Sequence, residues 1–311
     1  MRNAFAAELT RLAGENDKLV MLSGDIGNRL FDDFKAHFPT RFYNCGVAEA
    51  NMISMAAGLA MEGLHPVAYT ITPFITTRCF EQIRVDVCYH NVPVVIVGVG
   101  AGLSYATLGP THHSCEDMAI MRALPNMTVI APADPVETRL ALRAAIQHNG
   151  PVYIRIGKKG EPVIHQQTLD FEIGKAIILQ DGKDVCLLGT GTILPDVIKA
   201  ASLLAEKGIS AQVVSFPTIK PLDEAFLVDV FNRFSVVTTI EEHSRLGGFG
   251  SSVAEWLSDQ ALMKARLCRI GTNDTFMDVV GEQEYAREHF GLDAHSICEK
   301  TLQVYHERVL S

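Results

Sequence analysis

The stretch Phe42-Tyr-Asn-Cys-Gly-Val-Ala-Glu-Ala-Asn-Met52 runs from a short β-like segment through a glycine into a helix that continues Ile53-Ser-Met-Ala-Ala-Gly-Leu-Ala-Met61. Strand, turn and helix in that order form the unit from which a parallel α/β sheet is built. The helix is apolar or small-sided almost all round, so it reads as buried, yet it opens on a carboxylate, Glu49. A buried carboxylate without a partner is strongly disfavoured or takes up a proton. Glu49 therefore stands there either for chemistry or as the acidic residue that a helix N-terminus favours. The small residues Ala56, Ala57 and Gly58 permit close approach of another element, which is either a subunit interface or tight core packing.

Working outward, short Val- and Ile-rich runs at 19–23, 66–70, 92–99, 127–131 and 152–156 read as buried strands. Helical patterns at 4–13, 48–61, 80–89, 114–122 and 135–147 alternate with them, the last closed by Asn149-Gly150. The pattern breaks over 158–172, where Lys-Lys-Gly-Glu-Pro and Gln166-Gln167 read as a connector. A second series follows, with strands at 184–188, 211–216, 236–241 and 267–270, helices at 194–207, 224–234 and 251–263, and a last helix at 294–309. The expected architecture is α/β: two doubly wound domains with mostly parallel sheets, over residues 1–160 and 176–311, joined by a linker at 161–175.

Composition narrows the function classes. With 48% hydrophobic and 20% charged residues the chain is well mixed and expected to be globular. A net charge of -9 without a Lys/Arg cluster beyond Lys158-Lys159 argues against nucleic acid. No apolar run reaches membrane-spanning length, and Glu8 within the opening amphipathic pattern argues against a signal peptide. Seven scattered cysteines, odd in number and never spaced C-x-x-C, fit free thiols in a cytoplasmic protein.

Two further segments carry residues suited to chemistry. Thr70-Ile-Thr-Pro-Phe74 precedes Arg78-Cys-Phe-Glu-Gln-Ile-Arg84, and Gly109-Pro-Thr-His-His113 places two imidazoles on a turn after the strand at 92–99. Histidine titrates near neutrality and so suits proton transfer. A metal site from His112 and His113 is not expected, because adjacent side chains diverge and no carboxylate pair completes the set.

Together with Glu49 these segments resemble the C-terminal half of the transketolase family, its pyrimidine-binding and C-terminal domains. The resemblance implies thiamine diphosphate as cofactor, with Glu49 on the pyrimidine ring nitrogen, Phe74 stacked on the ring, and Arg78, Phe80 and Asp25 nearby. Phe80 reads rather as core, and Asp25 alternatively as a turn residue after a strand. It gives His112 the acid/base role and places Arg2 and Lys158 toward a distal anion on the substrate, Lys158 alternatively opening the linker, while Arg29 and His113 stand on the substrate side where the family carries a Ser and a Gln, His113 reading as a residue behind the site or at the surface. Leu108 and Gly100 stand where transketolases carry a sugar-reading Asp and His, so the sugar specificity is expected to differ. Glu241-Glu-His-Ser-Arg-Leu-Gly-Gly-Phe-Gly-Ser-Ser252 resembles the family's C-terminal domain, expected to be structural and interfacial. No Gly-Asp-Gly turn for the diphosphate and magnesium is present in the sequence, so an N-terminal transketolase subunit is expected to supply that domain and Mg2+, with self-association through both domains of this chain. The implied activity is two-carbon ketol transfer from a ketose to an aldehyde. The alternatives are an acyloin synthase or 2-oxo acid dehydrogenase beta-type subunit, and a scaffold without catalysis.

Overall fold

The structure is a computed structural model that describes residues 1–311 apart from Gly27, Asn28, Lys159, Thr168, Leu310 and Ser311. Its strands are β1 (Leu19–Ser23), β2 (Phe42–Asn44), β3 (His65–Ile71), β4 (Val95–Val99), β5 (Thr128–Ile130), β6 (Val152–Ile156), β7 (Ile177–Gln180), β8 (Val185–Thr190), β9 (Ala211–Ser215), β10 (Thr218–Lys220), β11 (Val236–Ser244) and β12 (Arg266–Thr272). The α-helices are α1 (Arg2–Glu15), α2 (Asp32–His37), α3 (Glu49–Met61), α4 (Thr72–Ile75), α5 (Phe80–Gln82), α6 (Asp117–Arg122), α7 (Pro135–Gln147), α8 (Leu194–Glu206), α9 (Glu224–Arg233), α10 (Phe249–Ser258), α11 (Gln283–Phe290) and α12 (Ala294–Val309).

Among the described residues the strands form two sheets, ordered β10-β5-β6-β4-β3-β1-β2 and β12-β11-β8-β9-β7. Pairing is parallel except at two edges, β10 on β5 and β7 on β9. The central strands β1, β4, β6 and β8 are buried at every position, as sheets covered on both faces require. The fold is thus α/β with two mostly parallel sheets. In the first sheet β1 has β2 on one side and β3 on the other, so successive crossovers leave β1 in opposite directions. Such a switch point opens a crevice at the carboxyl ends of the strands, where α/β proteins bind ligands.

Several boundaries follow from local chemistry. Helix α7 starts where Asp134 accepts the amides of Val136 and Glu137 at 2.8 Å each, with Pro135 in the first turn. Helix α10 starts at Phe249 because the Glu241 carboxylate, arriving from β11, accepts the amides of Phe249 (2.6 Å) and Gly250 (2.8 Å). It stops at Ser258, short of the expected residue 263, and Leu262, which extends the apolar pattern, lies wholly exposed. The expected helix 80–89 is α-helical only over Phe80–Gln82 and π-helical over Ile83–Tyr89. In α3 Ala56 and Ala57 face the core, while Gly58 is exposed.

The two halves are tied together. Strand β10, from the second half of the chain, closes the edge of the first sheet. The segment after β6 is strapped down, with the amides of Ile164 and His165 on Asp134 and the His165 ring 2.7 Å from Glu137. One apolar cluster joins Met118 and Met121 of α6 to Phe216 and Phe249.

Candidate active site

Four connections converge on the crevice. After β1 comes Gly24, after β2 the turn into α3 that presents Glu49, after β3 the turn bearing Phe74, and after β4 the loop bearing His112. Glu49 is the first residue of α3 and only 4% exposed, where the helix dipole favours a carboxylate. Thr72 donates to the Val99 carbonyl (3.0 Å) and fixes the turn that carries Phe74 against β4.

Arg78 folds back over this turn. Its Nη1 donates to Glu49 Oε2 at 2.8 Å, and its guanidinium carbon lies 4.3 Å from the centre of the Phe74 ring. Phe74 also packs T-shaped with His112, ring centres 5.3 Å apart. His112 in turn meets Tyr105 at 6.0 Å, and Lys158 Nζ lies 5.0 Å from the centre of the Tyr105 ring. Glu49, Arg78, Phe74, His112, Tyr105 and Lys158 thus form one continuous line of contacts.

The His112 loop is closed at its neck, where Gly102 and Ser114 exchange both backbone hydrogen bonds at 2.9 Å. Gly100 enters it at a φ of +77°, and a Cβ there would lie 1.9 Å from the Tyr105 ring. Only glycine leaves room for that ring. Along β3 and at the start of α1, the Tyr69 hydroxyl, the Thr70 hydroxyl and Arg2 Nε are buried without a hydrogen-bond partner among the described residues. Buried polar groups are ordinarily paired, so these three stand out. Burial pushes the Tyr105 phenol up, and the positive charge of Arg2 acts against it.

The remaining expected site residues lie elsewhere. Phe80 is half-buried and packs on the core. Asp25 and Arg29 are exposed in the loop after β1, Asp25 beside a shallow cleft with Phe31, Phe42 and Asn44. Leu108 is 51% exposed on the turn before Gly109. His113 turns inward, buried among Leu103, Met277 and Phe290, with its Nε2 unpartnered and its pKa lowered by burial.

Sequence reasoning passed over Tyr105 and read the acidic run at the end of β11 only as part of a structural domain. Its signal was Glu241-Glu242-His243, three titratable residues inside a strand, all of which are buried. Burial raises Glu241 to about 7, against the pull of the Gly250 and Phe249 amides, and lowers His243 to about 4. Among the described residues no group of three His, Cys, Asp or Glu side chains is placed to hold a metal ion, and no helix is long and apolar enough to cross a membrane.

Comparison with known proteins places both halves of the chain in one family. Residues 1–161 match the transketolase pyrimidine-binding domain and residues 174–297 the transketolase C-terminal domain. The chain is 38% identical to an apulose-4-phosphate transketolase subunit of Actinobacillus succinogenes, over 87% of each chain. It is 36% identical to a 6-deoxy-6-sulfo-D-fructose transketolase subunit of a Clostridium species, covering 98% of this chain and 94% of that one. Among solved structures, a split-gene transketolase described as an inactive beta4 tetramer superposes with a TM-score of 0.89 at 36% identity, covering 99% of this chain and 98% of that one. With a site at the switch point of the first sheet and both domain families matched in order, the chain belongs to the transketolase family of transferases.

Proposed function

We propose that this chain is the C-terminal subunit of a split transketolase, moving a two-carbon ketol unit from a ketose to an aldehyde with thiamine diphosphate. The observation that carries the reading is the unbroken line from Glu49 through Arg78 and Phe74 to His112. A buried carboxylate, the unpaired Thr70 hydroxyl that shares the surroundings of Gly24 with it, and an aromatic ring on the same line of contacts fit a planar ring that carries nitrogen donors and acceptors. Glu49 would hold the pyrimidine nitrogen, and Phe74 would flank the ring. When bound, thiamine diphosphate supplies a carbon nucleophile and an electron sink, neither of which side chains provide.

His112 would move protons to and from substrate oxygens, its ring oriented by the edge contacts to Phe74 and Tyr105 and by Thr111 Oγ1, 3.0 Å from its Nδ1. The diphosphate and its Mg2+ would be held by an N-terminal subunit, in line with the missing Gly-Asp-Gly turn and with relatives that are themselves named as transketolase subunits. Arg2, with its buried unpartnered Nε, and Lys158 over Tyr105 would receive a distal anion on the substrate, phosphate or sulfonate. Arg29, exposed on the loop after β1, would extend that basic rim.

The test is turnover by this chain assembled with its partner subunit, thiamine diphosphate and magnesium, on phosphorylated and sulfonated ketoses with an aldehyde acceptor. The reading requires ketol transfer that Glu49→Ala abolishes. A second reading, pyruvate-type decarboxylation, draws on Gly100 and Leu108 standing where sugar-reading side chains are expected. Pyruvate in the same assay separates the two.

A further inference from the structure

The loop from Gly100 to Ser114 is closed at its neck by the Gly102–Ser114 pair and shaped inside by tight turns, one of them the 3-10 turn Ala106–Leu108. Its first turn is held from the other domain. Glu242 of β11 is 1% exposed, and its Oε1 accepts the Leu103 amide at 2.6 Å. Gln283 Nε2 donates to both Glu242 oxygens (2.9 and 3.1 Å) and reaches Ser104 Oγ at 3.4 Å. Arg287 Nε donates to Glu242 Oε2 at 2.6 Å and is itself held by Asp196 (2.9 Å) and the Thr192 carbonyl (3.0 Å). At Gly102, φ +61°, a Cβ would lie 2.6 Å from the Glu242 carbonyl and 2.7 Å from its Oε1. The loop backbone therefore lies directly on this residue.

Buried ion pairs are weak evidence for stability, since a well-packed apolar replacement often does as well. Their directional hydrogen bonds do fix geometry, and here the bonded atom is a backbone amide of the loop that displays His112. We infer that Glu242 is a positioning residue of the transferase site, transmitting the placement of the C-terminal domain to His112 through Leu103. This rests on the reading of His112 as the group that handles protons on the substrate.

The test is a double-mutant cycle in the assembled two-subunit enzyme. Glu242→Ala is expected to lower kcat about 10- to 100-fold, as a small misplacement of a catalytic group does, with KM changed less than about threefold. In a His112→Ala background the same substitution is expected to remove no more than about a further twofold, because coupled losses do not add. Glu242→Gln keeps an acceptor oxygen for the Leu103 amide and is expected to recover most of kcat. Losses that simply add would overturn the inference. Should Glu242→Ala not fold, Gln283→Ala, at a half-buried position, takes its place in the cycle with the same criterion. Amide exchange of the chain alone gives an arm independent of activity. Residues 103–112 are expected to exchange faster in the variant while β8 and β11 stay protected, and unchanged exchange overturns the anchor. Full turnover by His112→Ala would instead defeat the reading of the site, leaving the exchange arm to judge the anchor by itself.

Discussion

Arg78 and Glu49, 29 positions apart in sequence, form a hydrogen-bonded ion pair in which the carboxylate is 4% exposed and the guanidinium side chain 45% exposed. The pair is thus asymmetric. Removing the carboxylate returns Arg78 to solvent, whereas removing Arg78 strands a buried carboxylate.

Glu49→Ala should therefore lower turnover of the assembled enzyme by about 100-fold or more, in the range of a lost acid/base group, while shifting the melting temperature of the chain by only a few degrees. Paired kinetic and thermal-melt measurements check this. A large loss of stability accompanying the loss of activity would contradict it.

Gly100→Ala should destabilise the chain by at least about 1–3 kcal/mol, since it combines left-handed backbone with a Cβ driven into the Tyr105 ring. Adding Tyr105→Gly should recover the steric part and leave the backbone part. Urea midpoints of the single and double variants measure the two contributions.

The buried trio of Asp117, Arg155 and Tyr153 offers a third test. Arg155 holds Asp117 through 2.8 and 3.0 Å bonds, and the Tyr153 hydroxyl donates to the same carboxylate at 2.6 Å. Burial opposes the charged form of Asp117, but Arg155, with His243 and the Tyr153 hydrogen bond, keeps the pKa below the usual value. Arg155→Met should cost about 3–5 kcal/mol by leaving that charge unpaired, and Asp117→Leu in the same chain should restore part of the loss. Denaturant unfolding of wild type and the two variants decides.

Glu241 and His243, with 3.7 Å between Oε2 and Nδ1, pull stability in opposite directions with pH. His243, lowered to about 4, favours the fold above pH 6.5, and that contribution is lost as pH falls toward 4. Glu241, raised to about 7, favours the fold at low pH, and its contribution is lost as pH rises through 7. Each is on the order of 3 kcal/mol, so between pH 4.5 and 6.5 they offset. Glu241→Gln should consequently lose about 3 kcal/mol relative to wild type between pH 7 and pH 4.5. The sole tryptophan, Trp256 in α10, reports the unfolding by fluorescence. A gap that does not change with pH would contradict the assignment.

What the sequence disclosed depended on how local the determinant was. Strands β1 and β6 have the expected bounds because every residue in them is buried and the apolar run is the whole signal. Helix α7 was legible from Pro135 and the Asn149-Gly150 stop. Strands β7 and β10 were not, because short edge strands owe their existence to a partner supplied by the fold. The start of α10 was missed for the same reason, its cap being Glu241 on another element. At the site, Glu49, Phe74 and His112 stand in recognisable segments, whereas the return of Arg78 onto Glu49, the seating of Tyr105 over Gly100 and the grip of Glu242 on Leu103 arise only when separate loops meet.

The most direct measurement is native mass spectrometry of this chain alone and co-expressed with its candidate partner subunit, each with thiamine diphosphate and magnesium. The account predicts that only the mixed assembly retains the cofactor. Stoichiometric binding by the chain alone, or no binding by the assembly, would contradict it.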